Sequence, residues 1–335
     1  RMVPAHYIVE ITLIGCPDPN PVNKRFFTPP RNEHSTDLNE IGRMYIGKVA
    51  QELNDWLDHV PADEPLGVLF SGGIDSGAVL LLLNHLLLQR GESAGRLKAF
   101  TLSVAGTSSD ATNAKQFLDE TDLSMLLEVI DVPSEQVDFR EAIRIIEDYK
   151  PLDVQSATMA WALMQQIRQQ YPDWRYLIDG DGGDENLKDY PIEDNPELTI
   201  ASVLNNLMLY QEGWGVDSIK HSLTYSGGQS RGHVRSYAPA AKLGFRGFSP
   251  FALPSVIGVA EGIPFIELTD WNHEQLYRLK GEIVKRGVEA ITGVTMPIFE
   301  KCRFQHGAVS LEGFAELFPA DEQVYRDTFA DIFIR

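Results

Sequence analysis

Two glycine-rich segments that carry hydroxyl or carboxylate side chains hold the residues of this sequence best suited to chemistry. The first follows a short apolar run at 66–70 and precedes a leucine-rich run at 78–89; it reads Ser71-Gly72-Gly73-Ile74-Asp75-Ser76. A glycine turn between a buried strand and a helix N-terminus binds anions, because free backbone N–H groups and the helix dipole point at the same place. Asp75 would repel a phosphate on its own, so its presence indicates Mg²⁺ between the two. The segment therefore predicts a site for a phosphate and a magnesium ion.

The second segment is more acidic and follows a predicted strand at 176–178. It reads Asp179-Gly180-Asp181-Gly182-Gly183-Asp184-Glu185. In a doubly wound sheet, the loops at the carboxyl ends of the strands face the ligand crevice. We therefore expect this segment to lie beside the first one, although by itself it would also fit a solvated acidic turn.

Alternating strands and helices must position these two segments. Apolar runs rich in β-branched residues predict strands, and apolar residues at helical spacing predict helices. The predicted strands are 7–14, 66–70, 98–104, 127–132 and 176–178, and the predicted helices are 37–57, 78–89, 110–119, 139–148 and 157–169. Asp110 is a candidate N-cap of its helix. Elements in this order predict an α/β fold with a parallel sheet and right-handed crossovers.

The pattern after residue 190 is mostly helical. Helices are predicted at 198–212, 216–223 and 274–285, with a polar, glycine-rich segment at 226–232 as a candidate mobile loop. We divide the sequence into an N-terminal strand and extended arm at 1–36 and one domain at 37–335. Within that domain the sheet core is expected at about 60–190 and the helical part at about 190–335.

Charge and cysteine content restrict the classes of partner. The formal net charge is −19 and no basic cluster stands out, so a nucleic-acid partner is not expected. The two cysteines, Cys16 and Cys302, are far apart in sequence and form neither a metal-binding spacing nor a disulfide framework. They indicate a reducing, cytoplasmic location. The longest apolar run is too short to span a bilayer, so no membrane partner is expected.

The two glycine-rich segments resemble a known superfamily. The first is similar to the pyrophosphate loop (PP-loop) of the N-type ATP pyrophosphatases, which include asparagine synthetase, β-lactam synthetase, NAD synthetase and several tRNA thiolases. The second resembles the asparagine synthetase motif Ser-Gly-Glu-Gly-(Ser/Ala)-Asp-Glu, in which Asp184 and Glu185 match. Asp179 stands where that family has Ser, and Asp181 stands where it has Glu.

Two later segments narrow the resemblance to the asparagine synthetase branch. Residues 243–251 are similar to the family's His-Gly-Leu-Glu-Val-Arg-x-Pro-Phe segment, although Arg246 and Phe248 replace its Glu and Arg. The segment that begins at Lys301 resembles Lys-x-x-Phe-x-x-Gly near the family's C-terminus. The resemblance runs from about residue 37 to Gly307 and implies an adenine nucleotide alpha hydrolase-like domain with a mostly helical C-terminal part. It includes no glutaminase domain, since about 35 residues before the first helix are too few for one.

The resemblance implies an ATP-dependent amide synthetase. In the family reaction a carboxylate attacks the α-phosphorus of ATP, which gives an acyl-adenylate and pyrophosphate, and ammonia or an amine then displaces AMP. Asp75 and Asp184 would be the Mg²⁺ ligands, and Lys301 and Asp181 would be catalytic. The residues implied in binding ATP or pyrophosphate are Leu69, Ser71, Gly72, Gly73, Asp75, Ser76, Leu102, Val104, Gly180 and Lys301.

The sequence alone does not identify the substrates or the partners. A carboxylate at Asp181 favours external ammonia or an amine, because lactam-forming relatives have Tyr at this position and use a distant Glu as the base. Glu212 could take the place of that Glu. A non-catalytic nucleotide- or partner-binding relative and an ATP-dependent thiolation enzyme are the alternatives. A separate glutaminase chain could supply ammonia, and the N-terminal arm could pair with a neighbouring subunit of a homo-oligomer. Cys16 is internal and lacks the free α-amino group of a glutaminase nucleophile, so we expect no glutamine hydrolysis by this chain.

Overall fold

Five parallel strands form the central sheet of the protein. The computed structural model describes residues 7–14, 16–17, 22–27, 30, 32–106, 108–187, 233–270, 272, 275–299 and 307–334. The sheet strands are β5 (Leu66–Leu69), β6 (Leu97–Val104), β7 (Leu127–Val132), β8 (Tyr176–Ile178) and β9 (Arg246–Phe248). Their spatial order is β7-β6-β5-β8-β9, and every neighbouring pair is parallel. The predicted α/β fold with a parallel sheet is confirmed.

The N-terminal arm forms two small ladders of its own. Strand β1 (Tyr7–Glu10) pairs antiparallel with β4 (Val22–Arg25), and β2 (Leu13–Ile14) pairs antiparallel with β3 (Cys16–Pro17). The single strand predicted at 7–14 is therefore two short strands. Neither ladder joins the central sheet.

Helices surround the sheet. They are α1 (Leu38–Leu57), α2 (Ile74–Gln89), α3 (Ser109–Glu120), α4 (Phe139–Ile146), α5 (Pro151–Gln170), α6 (Gly183–Asn186), α7 (Ala238–Lys242), α8 (Pro254–Glu261), α9 (Phe265–Thr269), α10 (Leu276–Thr292), α11 (Leu311–Leu317) and α12 (Glu322–Phe333). A π-helical turn at His233–Tyr237 leads into α7. The helices predicted at 198–212 and 216–223 and the loop predicted at 226–232 lie outside the described residues.

The apolar core lies on both faces of the sheet. In β6, Ala99 belongs to one buried cluster, together with residues of α1, α2 and α10, and Phe100 belongs to a second cluster with residues of α5. Successive side chains of a strand point to opposite faces, so two adjacent residues in two clusters indicate a sheet covered on both sides. This burial explains why the strands read as continuous apolar runs.

The sheet order brings the two glycine-rich loops together. Strand β5 is the central strand, and β8 is its parallel neighbour, with Val68 opposite Ile178. Both loops follow the carboxyl ends of these strands, as the sequence predicted. The spacing between the loops in the sequence, in contrast, is set by the crossover elements β6, α3, β7, α4 and α5.

Three local predictions were wrong or incomplete. The N-cap of α3 is Ser108 instead of Asp110, because the Ser108 hydroxyl accepts the backbone N–H of Ala111 at 3.0 Å. Helix α5 begins at Pro151, which occupies its first turn, where proline costs no hydrogen bond. The fifth strand, β9, was missed, because its three residues Arg-Gly-Phe show no strand periodicity.

Helices α1 and α10 approach each other at two glycines. A Cβ atom at Gly42 would lie 2.7 Å from the backbone oxygen of Ile283 and 2.8 Å from the backbone nitrogen of Gly287. Backbone atoms cannot move aside as a flexible side chain can, so this crossing requires glycine. Helix α10 also carries a charged residue of the candidate active site, so this helix contact helps to position that residue.

We expect Gly42→Ala to lower the free energy of unfolding by about 1–3 kcal/mol, the usual cost of overpacking. Gly47→Ala on the same helix is the matched control, since a Cβ there would meet nothing within 4 Å. That substitution should instead raise stability by about 0.5–1 kcal/mol through helix propensity. Chemical denaturation of both variants measures the difference, and equal effects would contradict the close helix crossing.

Candidate active site

The first loop turns sharply between β5 and α2. Gly72 has φ +75°, and a Cβ atom there would lie 2.6 Å from the backbone nitrogen of Ala114. The Ser71 hydroxyl accepts the backbone N–H of Gly73 at 3.3 Å and lies 3.4 Å from the Ser76 hydroxyl. Helix α2 begins at Ile74 with Gly73 as its N-cap, so no side chain caps its first N–H groups. This is the arrangement that binds an oxyanion.

The second loop packs directly against the first. A Cβ atom at Gly180 would lie 2.8 Å from the backbone nitrogen of Ser76, and one at Gly183 would overlap the carboxylate of Asp75. Gly182 has φ +102°, which allows the chain to turn into α6. The glycines therefore serve close approach of the two loops. The predicted neighbourhood of Asp75, Gly180 and Asp184 is present in the structure.

A buried lysine joins the two loops. Lys280 on α10 places its Nζ 2.6 Å from Asp75 Oδ2, and the same ammonium group is hydrogen-bonded to Asp184 Oδ1. Its side chain is 3% exposed. Lys280 was not among the site residues predicted from the sequence. The available signal was its position, since the apolar face of α10 runs through Leu276, Leu279 and Ile283, and a lysine there must have an anionic partner.

Asp75 and Asp184 fit a magnesium ion. Their oxygens lie close enough together to share one cation, which is Lys280 Nζ in this structure. The part of the chain that the structure describes holds no group of three or more His, Cys, Asp or Glu residues that could ligate a metal. Mg²⁺ usually takes one or two protein carboxylates and completes its shell with water and substrate phosphates. A pair of carboxylates beside an oxyanion-binding loop meets that requirement.

A second charged cluster lies beside the first, around the π-helical turn. The Ser236 hydroxyl donates to Asp181 Oδ2 at 2.7 Å, and Arg235 faces Glu185 at 4.0 Å. Burial would lower the pKa of Arg235, but the charges of Glu185 and Asp181, among others, outweigh it and raise that pKa. Burial first, and then the charge of Asp181, raise the pKa of Asp179 to about 7. Arg235 and Ser236 were not singled out from the sequence, in which they stand in no motif.

Three of the residues implied in ATP binding lie in β5 and β6, towards the carboxyl ends of these strands. Leu69 is partly buried, and Leu102 and Val104 are buried in the second cluster. The backbone N–H of Val104 donates to the carbonyl of Ala308 at 2.9 Å, so residues after Gly307 cover this end of β6. Lys301, Cys302 and His306 lie outside the described residues, as do Tyr190 and Glu212.

Asp110 is a buried carboxyl group at the covered end of β6. Its Oδ2 has no hydrogen-bond partner among the described residues, and its carboxyl group packs onto the backbone of Gly307. Burial raises the pKa of Asp110 to about 8. The carboxyl group is therefore neutral over most of the pH range in which an unfolded chain would ionise it.

We expect the stability of the protein to fall between about pH 4 and pH 8 by a few kcal/mol through Asp110, because the folded state holds a proton that the unfolded state releases. Asp110→Asn removes that proton and should flatten the slope, with its gain in melting temperature larger at pH 8 than at pH 5. The exposed Asp173 provides a control, Asp173→Asn. A slope unchanged in Asp110→Asn would contradict the assignment.

The fold and the paired loops define an α/β nucleotide-binding domain of the adenine nucleotide alpha hydrolase-like type. The family model described as Asparagine synthase matches residues 48–238, and the chain belongs to that family of ATP-dependent amide synthetases. A search of curated proteins finds no match. No helix in the described part of the chain is both long and apolar enough to cross a membrane.

Proposed function

We propose that this protein is an AMP-forming amide synthetase that adenylates a carboxylic acid and transfers its acyl group to ammonia or an amine. The observation that carries the proposal is the pairing of Asp75 and Asp184 on one cation between two glycine loops. Two carboxylates that share a cation beside uncapped helix N–H groups suit magnesium and a polyphosphate together.

The first step needs a site that binds the phosphates of ATP and holds the departing pyrophosphate. The backbone N–H groups of the first loop and the hydroxyls of Ser71 and Ser76 would hold the departing pyrophosphate. The family resemblance implies that Gly180 would lie against the ribose or AMP. Mg²⁺, bound by Asp75 and Asp184, would supply neutralisation of the charge that develops on the phosphates. The carboxylate oxygen of the substrate then bonds to the α-phosphorus, and pyrophosphate leaves.

The second step needs a site for the nitrogen nucleophile. Asp181 lies in the second loop with Ser236 as its hydrogen-bond donor, so its carboxylate is oriented. A carboxylate at this place would bind an ammonium or amine nitrogen and accept its proton as the amide bond forms. This arrangement supports an external nitrogen donor, either free ammonia, an amine substrate, or ammonia from a separate glutaminase chain.

ATP–pyrophosphate exchange tests the proposal, since it reports adenylation without the nitrogen donor. A panel of carboxylic acids, including L-aspartate, is screened with purified protein, ATP, MgCl₂ and labelled pyrophosphate. We expect exchange with at least one acid, and AMP release when ammonium or an amine is then added. Nucleotide binding without exchange for any acid would instead favour a non-catalytic relative, and exchange followed by sulfur transfer would favour thiolation.

Lys301 is the residue that the family resemblance assigns to charge neutralisation in both steps. We expect Lys301→Ala to lower turnover by a factor on the order of 10²–10³, the loss seen when one electrostatic stabiliser is removed. The far-ultraviolet circular dichroism spectrum and melting temperature serve as controls for folding. Turnover equal to that of the wild type would make Lys301 an ordinary surface residue.

A further inference from the structure

Two carboxyl groups share one serine hydroxyl in the second loop. Ser236 Oγ donates to Asp181 Oδ2 at 2.7 Å, and the same side chain is hydrogen-bonded to Asp179. A serine hydroxyl carries a single hydrogen. That hydrogen can serve only one carboxylate at a time, and its hydrogen bond to Asp179 favours the ionised form of that carboxyl group. Because the two carboxylates compete for one hydrogen, the hydroxyl of Ser236 is placed to pass a proton from one carboxyl group to the other.

The backbone holds Asp179 rigidly in this position. Its N–H donates to the carbonyl of Phe248 on β9 at 3.1 Å, and its Oδ1 accepts the backbone N–H of Asp181 at 3.0 Å. Ser249 adds a further side-chain hydrogen bond, and the residue is 7% exposed. Asp179 is therefore held between β9 and the second loop with little access to solvent, and Ser236 is a neighbour through which it can exchange a proton.

The charges around the group are consistent with a proton that moves near neutral pH. Burial first, and then the negative charge of Asp181, raise the pKa of Asp179 to about 7. The π-helical turn contributes Arg235, which faces Asp181 and Glu185 and keeps part of the negative charge compensated. Because the charge of Asp181 contributes to this rise, the protonation of Asp179 depends on the ionisation of its neighbour.

We propose that Asp179, Ser236 and Asp181 form a proton relay that receives the proton of the attacking nitrogen in the amide-forming step; the proposal rests on the proposed function. The nitrogen lone pair bonds to the acyl carbon, the bond from that carbon to the adenylate oxygen breaks, and AMP leaves with its electron pair. The nitrogen's proton passes to Asp181. Asp181 then passes this proton to the hydroxyl oxygen of Ser236, and the hydroxyl hydrogen of Ser236 moves to Asp179.

The relay makes the nitrogen donor's protonation state a determinant of specificity. Ammonia and simple amines are mostly protonated at neutral pH, and a carboxylate pair both attracts the cation and takes its proton. The sequence resemblance places Ser at position 179, so the second carboxyl group is a departure of this chain from the family pattern. We therefore assign to this site basic nitrogen donors, meaning ammonia or primary amines, in preference to weakly basic ones.

The first test needs no substrate. Protein labelled with ¹³C at the aspartate carboxyl carbons is titrated by NMR between pH 4 and pH 9. We expect a carboxyl resonance other than that of Asp110, which Asp110→Asn identifies, to titrate near pH 7 in the wild type. It should vanish in Asp179→Asn and move to lower pH in Asp181→Asn, where the neighbouring charge is gone. Asp173→Asn, at the other end of β8, is the matched control and should leave that resonance unchanged. The absence of any carboxyl group that titrates near pH 7 would overturn the proposal.

The second test separates the relay from the proposed function. With an acid found by pyrophosphate exchange, amide formation from ammonium chloride is compared with exchange in the wild type, Asp179→Asn and Ser236→Ala. We expect the wild-type amide step to increase with pH through about 7 as the pair loses its proton. In both variants the rate of amide formation should fall by a factor on the order of 10² more than the rate of exchange. With the weaker base hydroxylamine as donor, this extra loss in amide formation should be smaller.

The outcomes of the second test are distinct. Parallel losses in exchange and amide formation would overturn the relay while leaving the synthetase assignment intact. No exchange with any acid would reject the proposed function and, with it, the relay's part in amide formation. An unchanged pH profile in Asp179→Asn would also count against the relay.

Discussion

Asp75→Asn and Asp184→Asn should each reduce AMP formation by a factor on the order of 10³ while the protein remains folded. Each substitution keeps the shape of the side chain and removes one of the two charges that would hold magnesium between the glycine loops. Magnesium held there would stabilise the charge that develops as pyrophosphate leaves, so its loss would remove transition-state stabilisation more than ground-state binding. The size follows the loss seen when one electrostatic stabiliser is removed from an active site.

The measurement is the rate of AMP release with the acid identified by exchange. ATP affinity is measured separately, because a defect confined to binding would raise KM and leave kcat unchanged. Asp173→Asn removes the same charge from an exposed position and provides the control. Full activity in either site variant would reject the magnesium assignment of that residue.

Lys280→Met should destabilise the magnesium-free protein by about 3 kcal/mol, the lower end of the range for breaking a buried ion pair. The substitution leaves Asp75 and Asp184 facing each other without the ammonium group that joins them. The lower end applies because the Asp184 side chain is 38% exposed and water can partly replace the lysine. The linear side chain of Met fills the space along α10, so the loss reflects charge more than packing.

Magnesium ion alone, without nucleotide, should then stabilise Lys280→Met more than the wild type. An ion that binds only the folded state raises its stability, and in the variant no ammonium group competes for the two carboxylates. Melting temperatures with and without MgCl₂ measure this difference. Lys285→Met, one turn further along the same helix and partly exposed, is the matched control and should show neither effect. Equal magnesium responses in all three proteins would show that the two carboxylates are not a cation site.

Much of the fold could be predicted because its elements have strong local patterns. Strands β7 and β8 have the predicted bounds, and α1 begins at Leu38, one residue after the predicted start of its helix. These segments are long or strongly apolar, and the covered sheet requires continuous apolar runs. Strand β9 has no such pattern, since its three residues are held in place by their neighbour β8, with Leu177 opposite Gly247.

Some residues of the candidate site could likewise be predicted from the sequence, and others could not. Asp75 could be named from the glycine turn between a strand and a helix, which dictates local chemistry wherever it occurs. Asp184 and Gly180 could be named from the resemblance of their loop to the family motif. Lys280 could not, because its role depends on α10 crossing α1 closely enough to bring a lysine from 205 residues away onto Asp75.

The sequence by itself determined the α/β class, the two loops and the kind of ligand they suit, since these follow from periodicity and backbone geometry within short segments. Only the tertiary structure decided which charges meet. The serine that bridges Asp179 and Asp181 lies 55 residues after Asp181, in a turn whose position depends on the packing of α7 against β9 and α5. Side-chain charges act over a few ångströms in space, and nothing in local sequence pattern encodes which distant residues come within that range.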